Sequence, residues 1–410
     1  MQEQNTANRV TRSGLSIRKF ALLLIGVSSV TWMGTSIYIP ALSIIESDLG
    51  LNATQMGTTL TIYYIVYALL MPLVGPLSDS LGRRVFLLLG SLLFLAGSIS
   101  CGLSDGVSTL YIGRGLQGAG AGMLQVPVMA MVSDECSGEV MYRILGILGA
   151  LTGIIPALSM ILGGALAQYG SWRMIFSFLA VISLVTTVLC WLYLKESLPQ
   201  ERRTKASGII SVIMGYRSML FSRQMLTVGG PLIISATALG AFYTTAPFIV
   251  SDTFQLSSVY LGVVNILFVA SAAAGQYLSS NAIKRCSAST VYVIGGIIAL
   301  LGGCSFAGLH VVSALNTMLM LVVPVALFAF SFGFMEPAGL KSILTSFHAN
   351  SGMASALYGS LLLAMQGLGS QVAGTLMHLP SPPITTLVLI MTPVALLMGI
   401  TAITARGNLR

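Results

Sequence analysis

Gly75-Pro76-Leu77-Ser78-Asp79-Ser80-Leu81-Gly82-Arg83-Arg84 is a short charged stretch set between two long apolar segments. Its glycines permit a tight turn and close backbone approach. Asp79, Arg83 and Arg84 put charge where a chain would leave lipid. The apolar segments on either side, near 20 residues each, are long enough for a helix to cross about 30 Å of hydrocarbon.

Similar runs recur along all 410 residues, of which 55% are hydrophobic and 8% charged. A soluble domain carries about 25% charged residues, so most of this chain belongs in lipid. The expected fold is all-α, with twelve transmembrane helices near 20–42, 55–77, 84–104, 108–130, 142–168, 172–194, 225–250, 257–280, 289–310, 315–338, 352–377 and 383–404. The apolar run Phe20 to Leu42 is too long for the core of a cleaved signal peptide and is read as an uncleaved first helix.

Charge placement orients these spans. With the N-terminus inside, all 20 Lys and Arg fall in inside loops and tails except Arg114 and Arg173. That bias predicts a multi-pass protein with both termini cytoplasmic. It also explains the net charge of +8 without a nucleic-acid partner.

The longest connection splits the chain into an N-terminal six-helix unit (1–194), a cytoplasmic linker with a short amphipathic helix (195–223), and a C-terminal six-helix unit (224–410). The stretch at 75–84 has a faded counterpart at 275–284, where Ser279 stands in place of Asp79. Two such half-repeats imply one substrate cavity near the bilayer midplane, opened alternately to each side.

The G-x-x-x-D-x-x-G-R-R pattern of Gly75 to Arg84 resembles the signature loop of the major facilitator superfamily. Further stretches are similar to its drug:proton antiporter branch, with the Bcr/CflA-type (bicyclomycin/chloramphenicol resistance) exporters nearest. These are Ile39-Pro-Ala-Leu, Arg114-Gly-Leu-Gln-Gly-Ala-Gly, Ser171-Trp-Arg-Met-Ile-Phe, Ala246-Pro-Phe and Gly352-Met-Ala-Ser-Ala-Leu-Tyr-Gly. The resemblance implies two pseudo-symmetric six-helix bundles and makes Gly75, Asp79, Gly82, Arg83 and Arg84 a gate. It further implies that Asp79 docks on the N-terminus of span 11, near Asn350 or Ser351. Two departures stand out: Ser36 occupies a place where relatives commonly carry an aspartate, and Ser159-Met160 replaces a Gly-Pro pair before Gly163-Gly164.

Arg114 is the one cation well inside a span, and an intramembrane charge is a functional hypothesis by default. Gln117 and Gln125 share its helix face, three residues and about three turns away. No carboxylate is apparent beside Arg114 in the first half. A cargo carboxylate is one possible partner, and a ring of backbone carbonyls is another.

Glu336 is the only acid placed well inside a span, where a carboxyl group could take up and release protons. It lies near the inner end, however, where it could simply be wet. Ser36, Tyr38, Tyr64, Tyr243 and Asn265 are further candidates for substrate contact or coupling, alongside Trp32, Tyr63, Tyr67 and Phe242. The 21 methionines add adaptable apolar surface.

No Walker loop, nucleophile constellation or metal-ligand spacing is present, so no enzyme activity is expected. Gly113-x-Gly-x-x-Gly118 lies within a span and reads as helix packing. The five cysteines are scattered without C-x-x-C spacing.

The function expected is export of small, partly apolar compounds across a bacterial inner membrane, by a monomer among lipids. No cofactor is expected beyond a coupling proton. The alternatives are a dedicated exporter of an anionic metabolite, such as a carboxylate siderophore, and a membrane sensor without flux.

Overall fold

The computed structural model describes Thr11 and residues 14–202, 209–312 and 318–404. Arg9, Arg12, Arg203, Lys205, Arg406 and Arg410, which entered the charge reading, lie outside the described residues.

Without water in the bilayer core, backbone N–H and C=O groups must be satisfied within the chain, and a helix does this locally. The chain accordingly forms α1 (Ile17–Ser36), a 3₁₀ turn (Ile39–Ala41), α2 (Leu42–Leu49), α3 (Ala53–Leu81), α4 (Arg83–Gly102), α5 (Val107–Glu135), α6 (Gly138–Tyr169) and α7 (Trp172–Tyr193). After the linker come α8 (Ile209–Leu220), α9 (Gly230–Phe248), α10 (Val259–Ala282), α11 (Ala288–Val311), α12 (Met318–Ser346), α13 (Ser351–Leu376) and α14 (Pro383–Thr404). Wide π-helical turns at Met225–Gly229 and Ile249–Thr253 flank α9.

Ten segments of the described chain are long and apolar enough to cross a membrane. The two long helices outside that set are α5 and α13. Both trade lipid-facing hydrocarbon for small and polar residues that pack inward: Arg114, Gln117 and Gln125 on α5, and Gln366, Gly369 and Ser370 on α13, are all buried.

Helix contacts repeat between the halves. In the first, α4 packs on α5 and α7, α3 on α5, and α1 on α6 and α7. In the second, α11 packs on α12 and α14, α10 on α12, and α9 on α13 and α14. Between the groups, α3 packs on α13 and α6 on α10.

Those two seams are tight at the end away from the basic loops. There Thr54 donates to the Gly374 carbonyl at 2.9 Å and Ser257 bonds Gln168. A Cβ at Gly57 would sit 2.7 Å from the Ser370 carbonyl oxygen. Toward the basic end α6 and α10 part: Gly153 still meets Val269, but Gly146 and Gly149 face open space. The linker helix α8 lies beneath the other seam, with Tyr216 donating to Pro72 O of α3 at 3.0 Å and Gly215 against Met353 of α13.

Candidate functional site

The charged stretch is mostly helix rather than loop. α3 continues through Pro72 and Pro76 to Leu81, and Gly75 is helical. The turn is the single residue Gly82, at φ 108° and ψ 146°, a conformation open essentially to glycine alone. Continuation of α3 puts Asp79 one turn before Arg83, and the two form an ion pair. Arg83 also reaches Asp134 at the end of α5 (3.3 Å) and Ser78 Oγ (2.8 Å).

Glu196, just beyond α7, accepts the backbone N–H groups of Arg83 (2.9 Å) and Arg84 (3.2 Å). Its carboxylate therefore caps the positive end of α4. Arg84 donates to the Trp191 carbonyl at 2.7 Å. Asp79 thus pairs within its own stretch and not with the N-terminus of α13. Asn350 makes no side-chain cap there, and the adjoining surface is a depression lined by Lys341, His348 and Ser351. The physical reason is that Arg83, one turn on, already engages the carboxylate.

Arg114 is fully buried. Its guanidinium lies over the rings of Tyr63 (4.2 Å) and Tyr38 (4.8 Å). It donates to Gln117 Oε1 at 2.8 Å, to Gly34 O at 3.2 Å and to Thr59 O at 3.5 Å. Gln117 in turn donates to Ser98, and Tyr38 Oη bonds Thr59 Oγ1 at 2.8 Å. Carbonyls, an amide and two aromatic faces take the place of a counter-carboxylate. Close packing makes room for this knot: a Cβ at Gly118 would sit 2.5 Å from the Tyr63 carbonyl oxygen.

Ser36 meets Ser159 at 2.6 Å between their hydroxyl oxygens. Tyr64 donates to Thr35 O at 3.3 Å, and Tyr243 packs on Phe242. Asn265 is wholly buried with neither amide atom partnered among the described residues. None of Arg114, Ser36, Tyr38, Tyr64, Tyr243 or Asn265 lines the cavity that the structure encloses between the two groups.

That cavity has a volume of about 340 Å³, within the 300–1,000 Å³ range of small-molecule sites. From the first group it takes Trp32, Tyr67, Met71 and Gln125; from the second, Phe268, Phe328, Phe332, Glu336 and Gln366 among others. Glu336 is a wall residue ten places before the end of α12, farther from the basic loops than a span ending at 338 implies. Gln276 of α10 donates to its Oε2 at 2.9 Å.

The family model described as Major Facilitator Superfamily matches residues 24–248, more than half of the chain. The chain belongs to the Major Facilitator Superfamily. A second model, described as MFS/sugar transport protein, matches residues 139–377. The uncharacterized MFS-type transporter YdgK of Bacillus subtilis is 28% identical over 352 residues, covering 83% of this chain and 85% of that protein. Multidrug resistance protein D of Escherichia coli is 26% identical over 379 residues, covering 92% and 93%. Among solved structures, a bacterial homolog of the human lysosomal transporter Spinster, inward-facing and unoccupied, aligns with TM-score 0.76 at 14% identity over 96% of this chain and 97% of that one.

For a superfamily member, the residues that sequence reasoning missed are those that complete a contact from another helix. Gln276 and Gln366 sit in apolar runs with nothing to single them out. Glu196 and Asp134 look like ordinary loop charges until the fold brings them to Arg83.

Proposed function

We propose that this protein is a secondary active exporter of small, partly apolar compounds, working by alternating access with inward proton flow as its drive. Its twelve long helices cross a bacterial inner membrane as two six-helix bundles, with both termini cytoplasmic. The observation that carries the reading is the cavity between the two groups, sealed at the end away from the basic loops and walled by one acid, Glu336. By the positive-inside rule the parted end faces the cytoplasm, which matches loading of cargo from within. Multidrug resistance protein D, similar over most of its length, supports export of foreign compounds.

Glu336 is the proton carrier in this reading. As the charged wall group it can be neutralised by a proton on the return stroke, when an empty buried carboxylate would otherwise be costly. Asp79, Arg83, Asp134 and Glu196 form a network within the first helix group at the basic end and do not line the cavity.

Proteoliposomes with an imposed pH gradient test the reading. Drug accumulation should follow the gradient and collapse with it, and Glu336→Gln should uncouple the two. Flux independent of the gradient, or full coupling in Glu336→Gln, would overturn it.

A further inference from the structure

We propose that the cavity takes a monovalent organic cation with a flat aromatic body, its charge at Glu336 and a hydrogen-bonding group at its other end against Trp32 and Gln125. The inference rests on the cavity's being the transport site and names the cargo's chemistry.

The charge of the ligand follows from the wall. Glu336 is the only residue with a formal charge among those lining the cavity, and Gln276 supplies one donor to one of its two oxygens. An ionised carboxylate offers about four acceptor positions, so an ammonium group can add to what Gln276 provides. Arg114, a guanidinium buried in the interior, is held by Tyr38, Tyr63, Gln117 and backbone carbonyls, with its Nη2 unpartnered among the described residues, and it does not line the wall. An anion would therefore meet Glu336 with no compensating cation, an arrangement that like-charge repulsion and desolvation both oppose.

The aromatic body follows from Phe268, Phe328 and Phe332, with Tyr67 and Trp32 across from them. Phe268 is held by stacking on Phe242, with ring centroids 5.6 Å apart. Such rings accept a flat apolar ligand and stabilise a cation near their faces.

A second pole lies in the other helix group. Among the described residues Trp32 Nε1 and Gln125 Oε1 have no hydrogen-bond partner, and Gln125 is only 8% exposed. The first is a donor and the second an acceptor. A single hydroxyl or primary amide satisfies both, accepting from Trp32 and donating to Gln125. Because this pole sits on α1 and α5 while Glu336 sits on α12, a ligand that meets both ends bridges the two helix groups. Such bridging is how cargo can bias their relative movement.

Isothermal titration of the purified protein in detergent tests this with four related indoles. They are serotonin (cation with hydroxyl), tryptamine (cation without it), 5-hydroxytryptophol (neutral) and 5-hydroxyindole-3-acetate (anion). Serotonin should bind best and tryptamine next. The neutral compound should be weaker than serotonin by at least about tenfold, the scale of a lost charge-assisted contact. The anion should not bind.

Glu336→Gln should remove the advantage of serotonin over its neutral counterpart, and Glu336→Asp should restore part of it. Gln125→Leu should erase the preference for serotonin over tryptamine. Binding of the anion or the neutral compound as tightly as serotonin, or no binding by any of the four to monodisperse wild-type protein, would overturn the proposal. Binding needs no gradient, so failure of proton coupling alone would show as intact binding without driven flux.

Discussion

Ser36 Oγ and Ser159 Oγ lie 2.6 Å apart and join α1 to α6 across 123 positions of sequence. One of the two hydroxyls donates to the other in this contact; Trp32 O lies 3.1 Å from Ser36 Oγ and Pro156 O 2.9 Å from Ser159 Oγ, so each hydroxyl has a carbonyl to donate to if the other is lost. α1 and α6 are close here because Gly163 has no side chain; a Cβ on it would overlap the Ile37 carbonyl.

Ser36→Ala is therefore expected to cost only about 0.5–1.5 kcal/mol, the net worth of one hydrogen bond. Drug accumulation driven by a pH gradient should survive, since neither serine titrates in the working range. Thermal unfolding in detergent and proteoliposome flux measure the two outcomes. Gly163→Leu, by contrast, should abolish folding, because the steric conflict is with backbone.

Arg114→Lys should be poorly tolerated despite keeping the charge. An ammonium group cannot lie flat over Tyr38 and Tyr63 while donating to Gln117 and Gly34. A loss of about 2–4 kcal/mol is expected, in the range for breaking a buried polar network. A matching fall in melting temperature, with the cation-binding order of the indoles retained by whatever protein remains folded, would place Arg114 in structure and not in cargo recognition.

The charged stretch yields a cap and a turn that can be separated. Gly82→Ala should lose about 1–3 kcal/mol from backbone strain alone. Glu196→Ala should lose about 1–2 kcal/mol as the cap of α4 disappears. Glu196→Gln should keep part of it, because an amide oxygen still accepts the N–H groups of Arg83 and Arg84. Urea or thermal melts of the three variants side by side would expose any other order.

Gly57→Val in a Thr54→Cys background tests the seal between α3 and α13. The added side chain meets the Ser370 carbonyl and should pry the far end open. Maleimide labelling of the introduced thiol from that side should accelerate severalfold relative to Thr54→Cys alone. Unchanged labelling would mean that the seam yields without opening.

Two native cysteines offer a pH contrast outside the spans. Burial, with the Glu135 carboxylate adding to it, pushes the Cys136 thiol up, whereas Cys286 is exposed. A raised thiol is less ionised at neutral pH, and the thiolate is the reactive form. Cys136 should therefore label far more slowly than the exposed Cys286 near pH 7, and its own rate should rise only as the pH passes above the ordinary thiol range.

The long apolar runs, and the confinement of Lys and Arg to alternate loops, were enough to read a helical multi-pass membrane protein, and the resemblance of Gly75 to Arg84 to a signature loop added the transporter reading. The first two are local properties: hydrocarbon thickness sets segment length, and desolvation keeps charge at the ends. Arg114 and Glu336 were conspicuous for the same reason, as charges inside apolar segments. Only the packed fold decided that they differ. Arg114 is enclosed by helices of its own group, whereas Glu336 stands on the wall between groups with Gln276 beside it. Helix phase and neighbour identity govern that outcome, and both depend on residues hundreds of positions apart, such as Thr54 with Gly374. The extension of α3 to Leu81 through Pro72 and Pro76 is accompanied by a contact from the next helix, where Arg83, held by Asp134, reaches back to Ser78 and Asp79.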